Sequence, residues 1–139
     1  MTELDKYISQ KLHQDFAFGE NDCITFAVGA VKAATGIDHL KDINKWNSAM
    51  TGRGVLKKLK HKDIIEAFDV RFRQHKNISK LQDGDVVFVD NPADTTFQKY
   101  SATVYYKGKL VGVSSAGMIT FNVTDGSYFF NVRSLRVRG

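Results

Sequence analysis

Apolar positions recur at three- and four-residue spacing through the first half of the chain and at two-residue spacing through the second. Leu4, Tyr7, Ile8 and Leu12 fall on one helical face, and Thr2 followed by Asp5 has the form of a capping box with Asp in place of the usual Glu. A first amphipathic helix is therefore expected over residues 3–14. Phe16-Ala17-Phe18-Gly19 reads as a short apolar connection, after which Asn21 or Asp22 can cap a second helix by accepting backbone N–H groups. Ile24, Phe26, Ala27, Val28, Ala30, Val31, Ala33 and Ala34 cover almost its whole circumference, which predicts a central, buried helix. Gly36 is suited to the left-handed position that ends it.

Between residues 40 and 68, charged and apolar positions alternate at helical periods (Ile43, Trp46, Met50; Val55, Leu56, Leu59; Ile64, Ile65, Phe68), broken at Thr51-Gly52-Arg53-Gly54. These predict two or three short helices. From residue 69 the period becomes two. Val70 and Phe72 alternate with Arg71 and Arg73, and Val86-Val87-Phe88-Val89 follows Asp83-Gly84-Asp85 as a buried strand follows a turn. Further strands are expected at 100–106, 109–114, 118–123 and 128–137, with Lys107-Gly108 and Asp125-Gly126 as tight turns. Pro92 sits with Asn91, Asp94, Thr95 and Thr96 in a polar loop. Phe129-Phe130 and Tyr128 fit either a last strand or a docking surface. Helices first and strands second predict an α+β domain with an antiparallel sheet.

The 139 residues, 42% of them hydrophobic, suit one domain over the whole chain, residues 1–139. One cysteine excludes an internal disulfide, which fits a reducing compartment or a particle assembled inside a cell. No apolar run reaches the roughly 18 residues of a membrane span, and Met1-Thr2-Glu3-Leu4-Asp5 lacks the form of a secretory signal, so the mature chain is expected to start at Met1. The net charge of +5 permits an acidic partner without demanding one. Its clusters, Arg53, Lys57, Lys58, Lys60 and Lys62, then Arg133, Arg136 and Arg138, read as solvated faces. Nucleic-acid binding is only the outside alternative, because no aromatic residues interleave with the charges.

Cys23 falls in the first turn of the central helix, where unpaired N–H groups and the helix dipole favour thiolate over thiol. That arrangement prepares nucleophiles; a lone cysteine also serves as a small buried hydrophobe. Gly19-x-x-Asp22-Cys23-x-x-Phe26, the small-residue helix closing with Ala34-Thr35-Gly36, and Asp83-Gly84-Asp85-Val86-Val87-Phe88 resemble the NlpC-type cell-wall peptidases, a branch of the papain-like fold. The resemblance runs from about residue 15 to residue 135 and is closest to a phage-associated, largely uncharacterised subgroup.

The resemblance implies a papain-like α+β fold with N-terminal helices packed on a C-terminal antiparallel sheet. It also implies a helix cysteine that attacks a peptide carbonyl, a histidine base opening a later strand, and a polar orienting residue on the next. Here the matching stretch is Ser101-Ala102-Thr103-Val104-Tyr105, so Ser101 stands at the base's position, and the orienting position falls near Val113. Neither titrates near neutral pH. His13, His39, His61 and His75 all precede the sheet that supplies the family's base. Asp22 is a candidate orienting residue whose simpler role is capping. Asp85 is expected to fix its turn, and the aromatics Phe16, Phe18, Phe26, Trp46, Phe68, Phe72, Phe88, Tyr105 and Tyr106 to build the core.

The expected function is that of a phage virion protein of the tail or neck, assembled in the host cytoplasm, contacting other virion proteins through a degenerate peptidase scaffold. The alternative is an active hydrolase of peptidoglycan peptides with Cys23 as nucleophile. No cofactor is expected, and no metal, since no histidine pair has ligand spacing.

Overall fold

The computed structural model describes residues 2–12, 23–37, 64–75, 78–90, 100–114, 117–122 and 127–135. The expectations for Phe16–Gly19, Asn21, Asp22, the helices between residues 40 and 63, Trp46, the Pro92 loop and the Asp125-Gly126 turn lie outside these. So do the Arg53–Lys62 cluster, Arg136 and Arg138.

The first helix, α1 (Glu3–Lys11), starts on the expected capping box: Asp5 N donates to Thr2 Oγ1 at 3.0 Å, and Thr2 N donates to Asp5 Oδ2 at 2.9 Å. Two donors at the helix start are thus satisfied reciprocally. Helix α2 (Cys23–Thr35) buries Phe26, Ala27, Ala30 and Val31 completely, as its apolar circumference predicts, and stops at Gly36 with φ of +78°. A short helix α3 (Ile64–Asp69) follows.

Six antiparallel strands then form one sheet: β1 (Phe72–His75), β2 (Val86–Asp90), β3 (Tyr100–Tyr106), β4 (Lys109–Ser114), β5 (Gly117–Phe121) and β6 (Tyr128–Leu135), in spatial order β1-β6-β2-β3-β4-β5. The α+β class with an antiparallel sheet is thereby established, and Phe129-Phe130 belongs to a strand. β3 and β4 have the expected limits, and the turn between them carries positive φ at Lys107 (49°) and Gly108 (81°), the twist that a two-residue hairpin requires.

The sheet buries residues on both faces. Val86, Phe88, Ala102, Val104, Val111, Val113, Phe130 and Val132 form the main core with α1, α2 and α3; Val87, Val89, Leu110 and Phe129 form a second cluster with Leu81 on the reverse. α3 is pinned by Phe68, whose ring meets Phe88 edge-on at 5.0 Å and lies 5.8 Å from both Phe72 and Phe130. All four rings are fully buried, and truncating one to alanine would cost about 3–5 kcal/mol.

The Asp83-Gly84-Asp85 motif is a corner in which each residue has a separate task. Asp83 Oδ1 accepts from Lys107 N at 2.9 Å and holds the β3–β4 turn. Gly84, at φ +97°, leaves room for the last turn of α2, because a side chain there would begin 2.5 Å from Ala34 Cβ. Asp85 accepts from Gln82 N at 2.9 Å and from Val132 N at 3.3 Å. Its carboxylate therefore continues the β2–β6 ladder beyond Val86↔Phe130, where the main chain no longer pairs. This is the turn-fixing role expected of Asp85. Among the described residues, no helix is long and apolar enough to cross a membrane.

Candidate active site at the start of the central helix

Helix α2 lies across β3 and β4 on the main-core face of the sheet. Its direction follows from its last turn. Ala34 abuts Gly84, and Gly84 N donates to Tyr105 O at 2.8 Å, so α2 ends beside the end of β3. A helix of 13 residues runs about 18 Å at 1.5 Å per residue, and seven strand residues run about 20 Å. The two elements are nearly equal in length. Cys23 is the first residue of α2, at the end of the helix opposite that contact.

Ser101 is the second residue of β3. Its face is a different matter. Ser101 and Thr103 pair with Val89 and Val87, both in the second cluster, whereas Ala102 and Val104 join α2 in the main core. Strand alternation puts Ser101 on the face turned away from α2. The β3 residue next to Ser101 on the α2 face is Ala102, and Val113 of β4, 4% exposed, belongs to the same core. Neither side chain can exchange a proton or hold an imidazole.

Asp22, the proposed orienting residue, lies outside the described residues, as do His13, His39 and His61. His75 is in the sheet itself, on edge strand β1, separated from β3 by β6 and β2. Its ring sits 5.6 Å from that of Phe129, and both ring nitrogens are buried without a hydrogen-bond partner among the described residues. The structure therefore turns Ser101 away from the α2 face and leaves His75 on a strand that is not adjacent to β3. Among the described residues, no group of three or more His, Cys, Asp or Glu side chains could hold a metal ion.

The titrating groups with displaced pKa values lie elsewhere. Asp85 is fully buried, and that burial raises its carboxyl above the usual value, against the pull of the Gln82 and Val132 N–H groups and the charges of Arg133 and His75. Asp5 is held down at about 2 by the Tyr106 hydroxyl, then by the Thr2 hydrogen bonds, with Lys107 Nζ at 3.9 Å. An open groove between α1 and α2, lined by Glu3, Lys6, Tyr7, Gly29, Lys32 and Gly36 among others, extends toward the end of α2 opposite Cys23. The Asp5–Tyr106 pair was not legible beforehand. Tyr106 falls in an apolar strand pattern, and Asp5 already had a local explanation in its capping box.

Residues 1–132 match the model of a family described as a domain of unknown function, DUF6950. The chain belongs to that family. No curated protein and no solved structure matches it. The family match covers α1, α2, the Asp83–Asp85 corner and nearly all of the sheet, so the elements that place Cys23 are family elements. The description assigns them no chemistry.

Proposed function

We propose that this DUF6950 member is a phage virion protein of the tail or neck, built on a papain-like scaffold whose cysteine no longer has a catalytic base. The observation that supports the catalytic half of this reading is the face of Ser101: it pairs with Val89 on the reverse of the sheet, while the aliphatic Ala102 and Val113 share the main core with α2, the helix that Cys23 opens. Attack by a thiol needs a base within hydrogen-bond reach, and those two aliphatic side chains supply none. The virion half is supported by the sequence resemblance to phage-associated relatives of the NlpC-type peptidases. In this reading the domain surface works through contacts with other virion proteins, and the retained helix start is structural.

An active hydrolase is the second reading, favoured by one feature: Cys23 opens a helix of 13 residues, where the dipole stabilises a thiolate and the backbone N–H groups can bind an oxyanion. A single pair of measurements separates the two. Purified chain and its Cys23→Ala variant are incubated with peptidoglycan sacculi while Cys23 alkylation is followed against pH. The scaffold reading expects no released peptides from either protein and slow alkylation near neutral pH. Cleavage lost in Cys23→Ala, with rapid alkylation well below the ordinary thiol pKa of about 8.5, establishes the hydrolase instead.

A further inference from the structure

We propose that β5 is a docking edge for a second copy of this chain, the two β5 strands pairing antiparallel about a two-fold axis at Ile119. Two strands, β1 and β5, end the described sheet, and they differ in the devices that normally keep edges apart. β1 carries the exposed Arg73 and a register shift between Phe72 and Arg73. β5, Gly117-Met118-Ile119-Thr120-Phe121, has no charge and no proline, and it keeps an unbroken register with β4 from Ser114↔Gly117 to Leu110↔Phe121.

Electrostatics select a second copy as the occupant. The chain carries a net charge of +5, so two copies repel each other on average, and a quarter of its residues are charged. From Leu110 to Thr124 there is no charged residue, the longest such run in the sequence, and β5 presents it at the sheet edge. Two copies meet there without bringing like charges together. The strand is accessible: Ile119 is 38% exposed, and Thr120 is exposed beside it.

The register supports the same pairing. Ser114 and Gly117 close the β4–β5 hairpin across two residues, so Gly117, Ile119 and Phe121 direct their N–H and C=O groups to β4. Met118 and Thr120 direct theirs to the side on which no strand pairs among the described residues. With the axis at Ile119, Met118 of each copy lies opposite Thr120 of the other, and each such pair exchanges both N–H···O bonds. Ile119 then meets its own copy in a non-hydrogen-bonded pair, where Cα atoms approach to about 4.5 Å and side chains pack most closely. The exposed Ile119 becomes buried against an identical β-branched residue, a favourable cross-strand contact.

Sedimentation of the full chain into the submillimolar range is expected to show mass doubling. Ile119→Lys, which sets two like charges on the axis, is expected to abolish it while circular dichroism, and melting at dilutions where the parent is monomeric, remain those of the parent. In a Cys23→Ser background, Ile119→Cys is expected to form a disulfide dimer on mild oxidation, whereas Thr120→Cys, facing Met118, is expected to remain largely reduced. A parent that stays monomeric throughout the series overturns the proposal. A dimer indifferent to Ile119→Lys, or equal cross-linking from Ile119→Cys and Thr120→Cys, does so as well.

Discussion

The Tyr106 hydroxyl donates to the Asp5 carboxylate and ties the first turn of α1 to the last residue of β3. Asp5 thus serves two partners, one oxygen on Thr2 N and the other on Tyr106. The second contact turns a local helix cap into a tertiary clamp, since it holds α1 against the sheet at the end where α2 finishes.

This clamp has a pH signature. The Asp5 pKa falls from 3.8 to about 2 on folding, so the native state binds fewer protons than the unfolded state between those values. The contribution is complete above 3.8 and is lost as pH falls through about 2. Asp5→Asn should abolish this acid-side slope, and Tyr106→Phe should reduce it because Tyr106 is the largest cause. Urea unfolding measured from about pH 2 to about pH 6 checks both. A difference from wild type that is constant across that range would contradict the assignment.

Asp85 works in the opposite direction. Burial raises its native pKa above the unfolded 3.8, so the native state binds more protons there, and stability falls as pH rises from 3.8 through the native value. Asp85→Asn should remove that decline. Asp85→Ala should destabilise at every pH, by about 2–4 kcal/mol, because it strands the N–H groups of Gln82 and Val132. Paired urea titrations of the two variants distinguish loss of charge from loss of acceptors.

Tyr7 occupies the space a side chain on Gly29 would need: a Cβ at Gly29 would lie 2.2 Å from the Tyr7 hydroxyl, which itself donates to Phe26 O at 2.9 Å. In a free helix, Gly→Ala gains about 1 kcal/mol. Here Gly29→Ala is expected to lose about 1–2 kcal/mol by displacing Tyr7. In a Tyr7→Ala background the same substitution should become stabilising. A double-mutant cycle by thermal or urea unfolding reads the change of sign.

Much of this architecture is legible in local patterns because those patterns act over a few residues. Thr2 with Asp5 specifies a cap wherever the helix goes, Gly36 stops a helix for reasons of its own backbone, and Lys107-Gly108 turns a hairpin at its own positions. The first helix stops at Lys11, short of the expected residue 14, although Leu12 continues the apolar spacing. Leu12 is 56% exposed, so its periodicity carries no burial to hold another turn.

The candidate site was legible in part. Chain order alone brings Cys23 to a helix start and Ser101 to the beginning of a strand, but not the face on which Ser101 lies. Strand alternation says only that Ser101 and Ala102 point to opposite sides; it does not say which side receives α2. The usual guide is polarity, with one face apolar and the other wet. That guide fails on β3, where Ser101, Ala102, Thr103 and Val104 are all buried. Local patterns foretell the described helices and strands, their order and the Lys107-Gly108 turn, through interactions that close within a few residues. That Ala102 and Val113 share the core with α2 while Ser101 turns away is settled by packing alone, because a strand buried on both sides has its inward face chosen by what lies against it.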